Sequence, residues 1–269
     1  MSDIFAVKLI DIIDEGDKRV SLYFDIPEGF VWEPGAHISL ALDGYDDNDS
    51  VNRDYVRKFS IQTLMHEGKI GVTTRLDSSG SVYKDKVSAL EPGDFCHIIE
   101  SGCRMNLRRE DKDIVLISMG VGMATMRPLV RTFEECSDGI RSLTNICVNK
   151  TDNILYKSEF DSMSDICDSH CCHNREELKM DLADICNESE DKIFYLVGSK
   201  LFVENMVSQL RGYNVAKENI MIDKKHGVLD GIYAGASFNS YEKLKNTTTF
   251  KAIELPKKPC DCNGNCTCK

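Results

Sequence analysis

Three groups of residues carry chemistry by type and spacing. Gly120-Val121-Gly122 directly follows a short apolar run, Asp113-Ile114-Val115-Leu116-Ile117-Ser118, and precedes a helical segment. Glycines at such a turn let the backbone approach a ligand, and the helix start offers free N–H groups to a phosphate. Arg127, one to two turns further on, is either a phosphate contact or a solvated charge. The bland alternative for the whole segment is a tight strand-to-helix turn. The second group is Arg57-Lys58-Phe59-Ser60. Strand alternation puts Arg57 and Phe59 on one face and Lys58 and Ser60 on the other. A guanidinium beside an aromatic ring can hold a phosphate and stack a flat ring, although taken alone it reads as a core Phe and a solvent Arg. The third group is Cys260, Cys262, Cys266 and Cys268, four thiols within nine residues. Four thiolates suit zinc or an iron–sulfur cluster, but this spacing matches neither common ferredoxin run. A second cysteine cluster spans Cys167, His170, Cys171, Cys172 and His173. One short loop rarely supplies a full ligand set, so a surface loop or short helix is expected there.

The elements that must position these groups fall into two halves. Residues 1–109 read as β-rich, with strands at Val20–Phe24, Ala36–Leu40, Arg57–Ile61, Lys69–Leu76 and Phe95–Ile99. Pro27-Glu28-Gly29, Pro34-Gly35 and Pro92-Gly93-Asp94 punctuate them, which predicts an antiparallel barrel or sandwich. The polar stretch from Asp43 to Asp54 predicts a long hairpin loop. In residues 110–225, apolar strands at Asp113–Ser118, Leu143–Val148, Lys192–Val197 and Ile220–Ile222 alternate with helices at Thr125–Glu135 and Leu201–Leu210. That order predicts an α/β domain with a parallel sheet. Residues 226–269 fit neither half and read as an appendage ending in the Cys-rich tail.

The 269-residue chain has a hydrophobic fraction of 42% and a charged fraction of 29%, enough for ordinary folded domains. Its formal charge of −11 argues against a general nucleic-acid binder. No stretch approaches the ~20 apolar residues of a membrane helix, and the start lacks the basic segment of a signal peptide. A soluble cytoplasmic protein without membrane partners is the expectation.

In order, the chain carries Pro34-Gly35, Arg57-x-Phe59-Ser60, Gly80-Ser81-Val82-Tyr83, Pro92-Gly93-Asp94, the segment Gly120 to Arg127, and Tyr195-Leu196-Val197-Gly198-Ser199. This series resembles the ferredoxin–NADP reductase family of flavoprotein reductases over residues 1–225. The resemblance implies a flavin-binding antiparallel β-barrel and an α/β domain for the nicotinamide nucleotide. It implies that Arg57 contacts the flavin phosphate, Phe59 packs on the isoalloxazine ring in place of the usual Tyr, and Ser60 lies near flavin N5 as the catalytic hydroxyl. Gly80, Ser81 and Val82 would approach the flavin phosphates. Gly120 and Gly122, with Thr125 and Arg127 nearby, would lie under the nucleotide pyrophosphate, and Gly198 and Ser199 would line the nicotinamide side. FAD is expected ahead of FMN, with NADPH or NADH as donor and a protein or small molecule as electron acceptor. Lys150 and Tyr156 sit roughly where the family contacts a 2′-phosphate. Thr125 replaces the usual Pro, and Val197-Gly198-Ser199 replaces the usual Cys-Gly-Pro. Those departures motivate a rival: a flavin-binding regulatory or assembly subunit without efficient hydride transfer. A second rival is a metal-handling protein working through its tail.

Overall fold

The structure is a computed structural model, and it describes residues 4–47, 50–76, 80–188 and 191–235. Cys260, Cys262, Cys266 and Cys268 lie outside the described residues. In the first half, six strands run β1 (Phe5–Gly16), β2 (Arg19–Phe24), β3 (Ala36–Ala41), β4 (Val56–Ser60), β5 (Ile70–Arg75) and β6 (Phe95–Cys103). They form one antiparallel sheet in the order β4-β3-β6-β1-β2-β5. Its two edges curl toward each other just past β4, where the Gln62 amide donates to the Gly71 carbonyl at 2.9 Å and the Gly71 amide donates to Thr63 Oγ1 at 2.9 Å. Curling in this way shields edge groups that an open sheet would expose. Phe24, Phe30, Ile38, Leu40, Ile70 and Cys96 fill the interior. The short helix α1 (Val82–Ser88) closes one end with buried Tyr83 and Val87.

β1 is absent from the expectations above, and its pairing explains why. Residues Phe5 to Lys8 pair with β6, whereas Leu9 to Gly16 pair with β2 and carry two register shifts. The outer half therefore faces solvent on both sides, tolerates Asp11, Asp14 and Glu15, and loses the alternation that marks a half-buried strand.

In the second half, β7 (Lys112–Met119), β8 (Ile140–Val148), β9 (Asp168–Cys172), β10 (Lys192–Val197) and β11 (Ile220–Ile222) form a parallel sheet ordered β11-β10-β7-β8-β9. The apolar runs are continuous because both sheet faces are covered. One face holds α2 (Met123–Glu135) and α3 (Lys157–Asp161) over Leu116, Met126, Leu129 and Tyr195. The other holds α4 (Arg175–Glu188), α5 (Lys200–Gly212) and α6 (His226–Gly235) over Val115, Phe194, Val207 and Leu210.

Two expectations need correction. The segment from 226 begins as a helix of this domain rather than as an appendage, because Ile232 is 3% exposed within the second core. The cluster from Cys167 to His173 is largely the edge strand β9, not a loop or helix. Alternation sends Cys171 toward one core and Cys172 toward the other, so the five side chains do not converge. Among the described residues no group of His, Cys, Asp and Glu could hold a metal ion. Burial pushes the Cys96 and Cys147 thiols up to about 12, which keeps both protonated at neutral pH. Among the described residues no helix is long and apolar enough to cross a membrane.

The two halves are joined by side chains as well as by the connecting segment. Arg127, on α2 and 15% exposed, pairs with Glu67 of the first domain at 2.8 Å and with Glu159 of α3 at 2.7 Å. It also donates to the Gln62 carbonyl at 2.8 Å. Burial acts to raise the Glu67 carboxyl, but the hydrogen bonds from Arg127 and the Leu64 amide outweigh it and hold the group below its ordinary value. Because the folded value is depressed, this stabilisation is complete above the ordinary Glu range and is lost as pH falls through the lowered value. Arg127→Met should destabilise the protein by about 3 kcal/mol, near the lower end for breaking a buried ion pair. Thermal unfolding should also show an acid-side loss of stability that is smaller in Glu67→Gln. An Arg127→Met protein as stable as the parent would remove the pair from any structural role.

Candidate functional site

In an open parallel sheet, ligands bind beyond the carboxyl ends of the strands at the point where the strand order reverses. Here the chain moves outward from β7 through β8 to β9, then returns to the other side of β7 with β10. The reversal lies between β7 and β10, whose ends pair Ser118 with Val197. The two segments that flank it are Gly120-Val121-Gly122, a single 3₁₀ turn leading into α2, and Gly198-Ser199, leading into α5. Their glycines have definite reasons. A Cβ on Gly122 would stand 2.8 Å from the Val197 carbonyl oxygen, so only glycine allows the loop to lie against β10. Gly120 has φ +59° with nothing within 4 Å of a Cβ position, an open cradle in a conformation that suits glycine. The first turn of α2 has no acidic residue and no side-chain cap. The positive end of α2 thus lies at the reversal without a competing negative charge, which suits an anion.

The barrel meets this crevice with the end of β4. His37, Ser60 and Gly102 lie in one cross-strand row, since His37 pairs with Ser60 on β4 and with Gly102 on β6. The Thr125 hydroxyl, 3% exposed in the first turn of α2, donates to Ser60 Oγ at 2.8 Å. Ser60 and the glycine loop are therefore one connected unit. On the other face of β4, the Phe59 ring packs on the Tyr83 ring with centroids 5.9 Å apart, and the Arg57 guanidinium lies 5.3 Å from the same Tyr83 centroid. The Tyr83 hydroxyl reaches the Leu40 carbonyl at 3.3 Å, and burial pushes its phenol well above the ordinary range. Gly80 takes φ +66° in open space just before α1, Ser81 precedes the helix without capping it, and Val82 is exposed.

The two arginines singled out by sequence differ in their surroundings. Arg57 spends one nitrogen on the Arg53 and Val56 carbonyls, each at 2.8 Å, and has no carboxylate partner among the described residues. Arg127 is held by two carboxylates and a carbonyl, so its charge is already matched at the domain interface. Arg57 fits a phosphate; Arg127 holds the scaffold. Ser199 is engaged too, since its hydroxyl caps α5 by accepting from the Phe202 amide at 3.2 Å. Lys150 and Tyr156 do not come together. Lys150 is exposed, whereas the Tyr156 hydroxyl turns into the barrel, donating to Gln62 Oε1 at 2.6 Å and lying 3.1 Å from Thr73 Oγ1.

Local sequence gave no signal for His37, Arg104 or Asp223. His37 is 1% exposed, with Nε2 at 3.0 Å from Arg104 and Nδ1 at 3.3 Å from Asp223, just beyond β11. Burial lowers its pKa despite the nearby Asp223 carboxylate. A separate open hollow is lined by Glu15, Asp152, Glu159, Asp161 and Lys157. Four carboxylates against one ammonium make it a poor phosphate site.

No family model matches the sequence, and no curated protein matches it. Solved structures do share the architecture. A ferredoxin NADP+ reductase from Neisseria gonorrhoeae, with bound FAD and NADP, superposes with a TM-score of 0.71 at 14% identity, covering 83% of this chain and 99% of that one. A cytochrome P450 reductase from Amycolatopsis gives 0.67 at 14% identity, covering 83% and 71%. Phthalate dioxygenase reductase, described as transferring electrons from pyridine nucleotides to [2Fe-2S], gives 0.65 at 14% identity, covering 82% and 67%. The chain thus has the two-domain fold of the ferredoxin–NADP reductase-like flavoprotein reductases, an antiparallel barrel followed by a parallel α/β sheet.

Gly122→Val should push the loop off β10. The crowding against the Val197 carbonyl should cost about 1–3 kcal/mol, the usual range for overpacking. Thermal unfolding checks this, and an unchanged midpoint would show that the turn does not need glycine at 122.

Proposed function

We propose that this chain, built on that reductase fold, is a flavin-dependent NAD(P)H oxidoreductase that passes electrons to a protein or small-molecule acceptor. The observation that carries the reading is the 2.8 Å contact between Thr125 and Ser60, which sets the end of a barrel strand against a phosphate-type glycine loop at the reversal of a parallel sheet. A bound flavin supplies two-electron acceptance from a nicotinamide and one-electron release to an acceptor. The protein's part is to bind and orient. Arg57 neutralises a flavin phosphate, and the Phe59–Tyr83 ring pair offers an apolar surface to the flavin. Ser60 presents its hydroxyl at the domain junction. Gly80 and Ser81 admit the flavin phosphates at the entry to α1, beside Val82. Gly120 and Gly122 let the nucleotide backbone approach the start of α2, and Gly198, whose missing side chain makes way for the Phe202 ring, lines the nicotinamide side. No proton-transfer dyad is required for hydride movement between two cofactors, so the site's contribution is positioning.

FAD rather than FMN is the flavin we favour. Either NADPH or NADH serves as donor in this reading, since the Tyr156 phenol is committed to the barrel. The engagement of Ser199 as a helix cap favours one rival, a flavin-holding subunit that is reduced slowly or not at all. Spectra of anaerobically purified protein separate the two: flavin bands that bleach on adding NADPH or NADH support the reductase, and bands that persist support the subunit. Arg57→Ala should weaken FAD binding by about 1.5–3 kcal/mol, the usual worth of a hydrogen bond to a charged group. Fluorescence titration of the flavin-free protein measures it, and an unchanged Kd would detach Arg57 from the flavin.

A further inference from the structure

We propose that Thr125 is a positioning residue that sets the orientation of the Ser60 hydroxyl and thereby ties the nucleotide loop to the flavin-facing end of the barrel; this rests on the reading of Ser60 given above. A threonine inside a helix commonly turns its hydroxyl back to a carbonyl of its own helix. Thr132, on the same helix, does so, donating to the Pro128 carbonyl at 2.7 Å. Thr125 instead sends its proton across the domain boundary to Ser60 Oγ at 2.8 Å, with its side chain buried.

The direction of that bond matters. Ser60 Oγ is the acceptor, so the Ser60 proton is not used in the pair. Among the described residues Ser60 Oγ has no other hydrogen-bond partner. A serine hydroxyl otherwise samples three staggered rotamers. Fixing one lone pair on Thr125 leaves the Ser60 O–H as the donor that can be presented outward. Thr125 also sits in the first turn after Gly122, which lies close against Val197. A shift of the loop when a nucleotide settles would therefore be transmitted to Ser60 through one bond. A valine at 125 keeps the shape and removes the donor.

The test uses full-length protein, T125V, T125S, S60A and the double variant S60A/T125V, each loaded with FAD and mixed with NADPH or NADH. Unfolding midpoints are measured on the same proteins without flavin. T125V should hold FAD within about 3-fold of the parent, because Thr125 acts through Ser60 rather than on the flavin. At saturating nucleotide it should be reduced about 10-fold more slowly with KM unchanged, the pattern for an effect confined to the reacting complex. T125S should recover to within about 2-fold, and T125V should add nothing in the S60A background, where the coupled partner is already gone. The flavin-free unfolding midpoints should show the same non-additivity. Additive losses in the S60A background would overturn the proposal, as would a T125V rate equal to the parent's or a T125S rate as slow as T125V. A parent protein that takes up no FAD while the unfolding midpoints remain non-additive would overturn the flavin reading and leave Thr125 as an interface bond only.

Discussion

A half-buried guanidinium bridges the two domains. Arg127 projects from the helix that follows the glycine loop and binds a carboxylate from each side, Glu67 and Glu159, plus a barrel carbonyl at Gln62. A charge this shielded is tolerated only when it is paired and hydrogen-bonded, so the interface has one geometry in which it is satisfied. The Tyr156 hydroxyl adds bonds to Gln62 and Thr73 on the same patch of barrel. The connecting segment is held as well, because the Tyr195 hydroxyl on β10 donates to the Asn106 carbonyl at 2.9 Å and accepts from the Arg108 amide at 2.8 Å. These contacts fix where α2 begins relative to the end of β4. That relation is what brings Thr125 to Ser60.

From there the loop lies close to β10. Gly122 is packed so near the Val197 carbonyl that no side chain fits between them. At Gly120, by contrast, nothing stands within 4 Å of a Cβ position. Close packing at Gly122 beside open space at Gly120 is an arrangement that suits a preorganised anion site.

The strands with regular alternation or a continuous apolar run were legible in the sequence, including β2 through β6, β7, β8 and β10, because each obeys one burial rule along its length. β1 was not, since half of it is edge-like and rich in carboxylates. β9 was obscured by Cys and His residues that suggest ligands when read in a line and point to opposite faces once folded. The glycines at 120, 122 and 198 could be placed at strand-to-helix turns from local spacing, because such a turn is a local property. The role of Arg127 could not. A charge spaced like a phosphate contact and a charge buried between domains look the same until the carboxylates of Glu67 and Glu159 arrive from distant segments. His37, Arg104 and Asp223 were invisible for the same reason.

This difference between matched and unmatched charge is what singles out the site. Inside a folded protein, polar groups that are buried find partners. Arg127, Tyr156 and Tyr195 have found theirs within the chain, across the interface or on the connecting segment. Among the described residues Arg57 has no carboxylate partner, the start of α2 has no acidic cap, and Ser60 accepts one bond and keeps its own proton. They are a cation beside the Tyr83 ring, a hydroxyl at the end of the same strand against α2, and the start of α2 itself. These are groups that suit an anionic ligand. The acidic hollow beside Asp152 is of the opposite kind, because its four carboxylates would repel one.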